Sequence, residues 1–159
     1  MIDEREYALK EHARWNAEAG SMNAAAVQYA EVTVKSLLLL NGGAAVSMLA
    51  FVGSISSGSS FSEGIDLGGV VSSLQWFAAG AGTAVLCAGF CYVVMFLQAT
   101  LNFSYQRIWE HPFFAEGERT SKIVRLYKWF HILAVILSVG SLSMFAFGVC
   151  MIGRVVLAV

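Results

Sequence analysis

Charge is what this chain of 159 residues lacks most: Asp, Glu, Lys and Arg together make up only 13% of it, and proline occurs once. A water-soluble domain of ordinary composition is about one quarter charged. The apolar set reaches 57% and mean hydropathy is +0.65, which excludes a disordered tail and most soluble domains. Lipid is the solvent that explains the missing charge. The formal net charge of −1 leaves no basic footprint over the whole chain, so no nucleic-acid partner is expected.

Catalytic machinery is also missing. His12, His111 and His131 fall in three separate segments, without metal-ligand spacing to one another or to a cysteine. Of the three cysteines, Cys87 and Cys91 stand four apart and Cys150 lies elsewhere; in apolar runs they act as small, polarisable fillers. Gly80-Ala81-Gly82 lacks the lysine and the strand of a phosphate loop. No serine sits in a nucleophile elbow, and the long uncharged runs hold no carboxylate for acid–base work. A secondary transporter would need repeats and midplane ionisable groups that this chain does not have. The expectation is therefore a protein that is not an enzyme, with no catalytic residue, no cofactor and no metal.

What the sequence does have is three long stretches without a charge, Ser36 to Ser62, the run after Asp66 up to Arg107, and Trp129 to Ile152. Each exceeds the roughly 20 residues a helix needs to cross about 30 Å of hydrocarbon. They predict an all-α integral membrane protein with three transmembrane helices, at 36–55, 74–97 and 129–152. The expected remainder is an amphipathic helix over 1–35 continuous with the first span, a Gly/Ser-rich loop over 56–73, a helical hairpin over 98–128 and a short tail over 153–159.

The start Met1-Ile2-Asp3-Glu4-Arg5-Glu6 is acidic where a signal peptide is basic, so the N-terminal segment is expected to be retained. Four Lys or Arg precede the first span, five lie between the second and third, none lies between the first and second, and Arg154 alone follows the third. That distribution predicts a cytoplasmic N-terminus and hairpin, with the loop and tail outside. Six serines and four glycines among residues 53–68 make the loop a flexible connector.

Before the first span, Ala8, His12, Trp15, Ala19, Met22, Ala26, Tyr29 and Thr33 recur at alternating steps of four and three, a mean of about 3.5, as in a stripe facing a partner helix. One helix is expected from Glu4 to Ile55. The second span continues at helical period through Gln98, Asn102 and Gln106 on one face and Leu97, Leu101, Tyr105 and Trp109 on another. Pro112 is expected to end it, Glu116-Gly117-Glu118 to bend, and Thr120 or Ser121 to cap the third helix. Trp15, Met22, Tyr29, Tyr105 and Trp109 are the candidate partner surface of the resulting stalk.

Inside the spans, lipid offers no hydrophobic drive for association, so small residues must permit close backbone approach. Candidates are Gly42 and Gly43 in the first span, Gly80, Gly82 and Gly89 in the second, and Gly140 and Gly148 in the third. Asn41 is the most polar residue at depth, and its amide seeks a partner either in a neighbouring subunit or in another helix of its own chain. This richness in small residues predicts a homo-oligomer.

The polar N-terminal helix followed by Lys35-Ser36-Leu37-Leu38-Leu39-Leu40-Asn41-Gly42-Gly43-Ala44-Ala45 resembles a group of small bacterial inner-membrane proteins without assigned activity. The resemblance implies a bacterial source and a multi-pass location in the inner membrane. Two functions fit. The first is a self-associating anchor in membrane lipid whose stalk docks a cytoplasmic protein or a larger membrane complex. The second is an oligomeric pore-forming effector of the lysis, toxin or defence type, lined by Asn41, Ser47, Thr83, Ser138 or Ser141.

Overall fold

The computed structural model describes residues 4–56, 66–109, 111, 113–115, 117 and 119–157. Its elements are α1 (Glu4–Ser56), α2 (Leu67–Ser104), β1 (Gln106–Arg107), β2 (Phe114–Ala115) and α3 (Thr120–Leu157). The fold is all-α, and each of the three helices is long and apolar enough to cross a membrane. In each apolar stretch at most 17% of the residues are buried, so the greasy surface points outward. Leu39, Val46, Leu86, Phe96, Ile136 and Val139 are among the large exposed side chains. An apolar exterior of this extent belongs in hydrocarbon.

α1 is one helix of 53 residues, about 80 Å at 1.5 Å per residue. The expected stripe follows it only part of the way. Ala8 and His12 are buried, but Met22 and Tyr29 are each 74% exposed. The more covered residues farther along are Ala19, which belongs to the expected set, then Asn23, Val27, Ala30 and Val34, each one position past an expected residue, and Leu37 and Asn41 after them. The cause is helical geometry: a straight helix repeats every 3.6 residues, and a 3.5-residue stripe drifts by about 20° per heptad. By Tyr29, three heptads past Ala8, the stripe has rotated out of the covered face.

α2 begins at Leu67, earlier than the span expected from 74. Asp66 explains the start, because its Oδ1 accepts the Gly68 N–H at 3.0 Å as an N-cap. Val70 and Ser73, expected in the loop, are fully buried. α3 likewise continues past 152 to Leu157, with Arg154 in its last turn, where the helix dipole favours a cation. Residues 57–65 of the connector, as well as Pro112, Glu116 and Glu118, lie outside the described residues.

The expected helical hairpin over 98–128 is corrected. α2 stops at Ser104, and an antiparallel two-stranded ladder replaces its continuation, with Gln106 opposite Ala115 and Arg107 opposite Phe114. Tyr105 and Trp109 therefore do not share a helix face with Leu97 and Leu101. Ser104 turns its hydroxyl onto the Leu101 carbonyl at 2.7 Å, the local competition that makes serine a poor helix continuer, and its oxygen lies 3.1 Å from Thr120 Oγ1. The segment that follows is aromatic and β-branched, a composition that favours extended backbone.

The chain forms two compact units, one of residues 1–31 and 90–133, the other of residues 32–89 and 134–159. In the first, the ladder's turn is held by Phe113, whose backbone carries φ 66°, a left-handed conformation unusual for a side chain of this size. Its carbonyl accepts the Ile108 N–H at 2.9 Å and lies 3.0 Å from His12 Nε2. A carbonyl can only accept, so His12 donates from Nε2. The His12 ring also meets the rings of Trp109 and Phe113, and Tyr7 meets Phe113. Replacing His12 with Ala should speed hydrogen exchange at the Ile108 amide roughly tenfold, the effect of losing about 1.4 kcal/mol of local stability. Unchanged exchange would show that His12 does not hold the turn.

Candidate functional site

The second unit is organised around one polar side chain. Asn41 in α1 is 0% exposed, and its Nδ2 donates to Leu37 O at 3.1 Å, to Ser141 Oγ at 3.2 Å and to Ser141 O at 3.4 Å. Ser141 in α3, also 0% exposed, passes its own proton to Gly80 O in α2 at 2.8 Å. One amide and one hydroxyl thus join all three helices. The chemistry fixes the orientation of the amide, since its NH2 faces two carbonyls that only accept. Asn41 Oδ1 has no hydrogen-bond partner among the described residues and points at Gly80, where a Cβ would sit. It therefore fills the space that a side chain at residue 80 would take, a close approach that only glycine permits.

Around this node α2 and α3 run antiparallel. Thr83 Oγ1 lies 3.5 Å from Met144 Sδ, and the Cys87 thiol donates to Ala134 O at 3.3 Å. Phe77 packs with Phe145, and a Cβ at Gly148 would meet the Phe77 ring at 2.6 Å. Cys87 is thus a buried packing residue with a carbonyl partner.

The candidate residues divide clearly. Asn41, Gly80 and Gly148 are brought into close contacts within the chain, and Asn41 takes its partner from its own chain. At Gly42, Gly43, Gly82, Gly89 and Gly140 a Cβ would meet nothing within 4 Å. Two residues that make the node and its packing, Ser141 as hinge of the network and Phe77 as the ring over Gly148, were not singled out as packing residues. A signal for Ser141 exists, because a buried amide requires a polar partner at matching depth, and Ser141 is one of few available. Of the other polar side chains at depth, Ser47 and Thr83 bond back to the carbonyls of Gly43 and Ala79 four residues earlier.

In the first unit, Trp15 and Trp109 are about half exposed and Tyr105 is partly covered. A groove of about 470 Å³ has aromatic walls from Tyr7, Trp15, His111 and Phe113 and a polar wall from Glu11, Arg14 and Glu18. Arg14 Nε donates to Glu18 Oε1 at 2.9 Å, with Glu11 at 4.0 Å. The Glu18 hydrogen bond and charge, and then Glu11, hold the guanidinium above its ordinary pKa. Among the described residues no group of three His, Cys, Asp or Glu could hold a metal ion.

No protein-family model matches this chain, and no curated protein or solved structure does either.

The node generates a paired test. Gly80→Ala should cost roughly 1–3 kcal/mol, because the new methyl displaces a buried amide that cannot move without losing Ser141. Gly82→Ala, two residues away in open space, should be neutral or slightly stabilising. Unfolding of both variants in bicelles measures the difference, and equal stabilities would contradict the packing at Gly80.

Proposed function

We propose that this protein is a self-associating membrane anchor, placed in the bacterial inner membrane with its N-terminus cytoplasmic, whose stalk docks a protein partner. The observation that carries it is the division of the glycines. Gly80 and Gly148 are used up within the chain, whereas at Gly42, Gly43, Gly82, Gly89 and Gly140 a Cβ would meet no atom of another element within 4 Å among the described residues. Glycine in a helix interior costs about 1 kcal/mol relative to alanine. Five such residues in apolar helices, on surfaces the chain does not fill, fit close approach of a second copy, for which van der Waals packing is the main drive in lipid.

The docking half of the reading rests on Trp15, Met22 and Tyr29, large side chains left exposed on an α1 segment that otherwise carries Lys10, Glu11, Arg14 and Glu18, and on exposed Trp109 after β1. The pore reading is less well supported. A lumen needs polar side chains aimed into it, and Asn41 and Ser141 are completely buried against each other and Gly80.

Native mass spectrometry of the protein extracted directly into lipid nanodiscs tests the proposal. A discrete oligomer is expected, reduced to monomer by Gly43→Leu with Gly82→Leu while Asn41 and Ser141 stay unchanged. A monomeric wild type across concentrations would overturn it. Trp15→Ala should separately abolish recovery of a docked partner without affecting insertion.

A further inference from the structure

The first turns of α3 carry a concentration of positive charge that the chain itself does not answer. Arg119, Lys122, Arg125 and Lys128 are all exposed, and none makes an ion pair among the described residues, where the only such pairs lie in α1. Arg119 stands one residue before α3, and within the helix Lys122, Arg125 and Lys128, at three-residue intervals, are each turned by about 60° from the last over about 9 Å of rise. The first turn of α3 contains no acidic residue. Its N-terminus is already the positive end of the helix dipole, where a cation is unfavourable and an anion is favoured. Even with Glu116 and Glu118 counted from the sequence, four cations stand against two acids between 116 and 128.

The position of this collar along α3 selects its ligand. Lys128 is followed at once by Trp129, 63% exposed, and Tyr127 stacks on the His131 ring at 6.0 Å. From Trp129 to Gly153 the helix has no charge at all. Aromatic residues of this kind settle at the boundary between hydrocarbon and headgroups, which places the four flexible cations at the depth of lipid phosphates. We propose that Arg119, Lys122, Arg125 and Lys128 form a binding collar for anionic phospholipid headgroups. The cations attract the net negative headgroup through its phosphate, and the dipole of α3 reinforces them at Arg119 and Lys122. The proposal needs only that α3 crosses a bilayer, not that copies associate.

The test uses the full chain in nanodiscs of mixed phosphatidylcholine and phosphatidylglycerol, with the lipids that stay on the protein counted by native mass spectrometry. Phosphatidylglycerol should be enriched roughly fivefold over the bulk ratio, the factor that about 1 kcal/mol per basic residue gives for a lipid meeting one cation. Replacing all four residues with Gln should return the ratio to bulk, while Lys10→Gln with Arg14→Gln should leave it enriched. Raising salt on the wild type should lower the enrichment, because exposed charges are screened; this arm stands even where the fourfold variant does not insert. Bulk ratios on the wild type, enrichment that survives the fourfold replacement, or enrichment indifferent to salt would each overturn the proposal.

Discussion

A carboxamide in hydrocarbon cannot be left without partners, and the placement of Asn41 organises much of the second unit. No water is available at that depth, so the helices must supply partners, and they do so for Nδ2, while Oδ1 rests against Gly80 with no hydrogen-bond partner among the described residues. α3 supplies Ser141, which both accepts from the amide and donates onward to the α2 carbonyl at Gly80. α2 supplies a residue without a side chain, because the amide oxygen occupies the space that a Cβ would take. Apolar packing in lipid says little about which faces should meet, since hydrocarbon and leucine are equivalent surroundings. A polar contact that only one register satisfies says a great deal. Phe77 over Gly148 and Cys87 on Ala134 then extend the same α2–α3 alignment in both directions.

The outer surface follows the opposite logic. Along the apolar stretches leucine, valine, isoleucine and phenylalanine make up much of it, interrupted by glycines with open space at their Cβ positions, and a band of cations stands at the head of α3. In the readings proposed above, these two features serve different partners. Close-approach surface suits another protein helix, whereas an uncompensated positive collar beside Trp129 suits the headgroups of the lipid itself. The proposed anchor would use both, one to assemble and one to hold its depth.

Much of this was legible in the residues. Long charge-free runs identify the three helices because few other arrangements tolerate such composition, and Asn41 stood out because amides are scarce at depth. The boundaries were harder. Asp66 caps α2 eight residues before the apolar run becomes dense, and Ser104 ends it while the apolar period still continues, so hydropathy located neither end. The ladder at 106–115 depends on the Phe113 backbone and its bond from His12, a contact between residues 101 apart that no periodicity reveals. The stripe from Ala8 to Thr33 misled for a simple reason: a period of 3.5 and one of 3.6 differ by about 20° over two turns and by about 60° over six, enough to carry a narrow stripe off the covered face. Which glycines are consumed within the chain was likewise invisible, because all of them fit the same small-residue pattern.

The most direct measurement is a double-mutant cycle of Asn41→Ala and Ser141→Ala, read as unfolding free energy in bicelles. If the node joins the helices as described, the two losses are coupled by about 0.6–1.7 kcal/mol, the range of hydrogen bonds between membrane helices. Simple additivity of the two losses would mean that Asn41 and Ser141 do not act on each other, and the account of how the bundle is held together would be wrong.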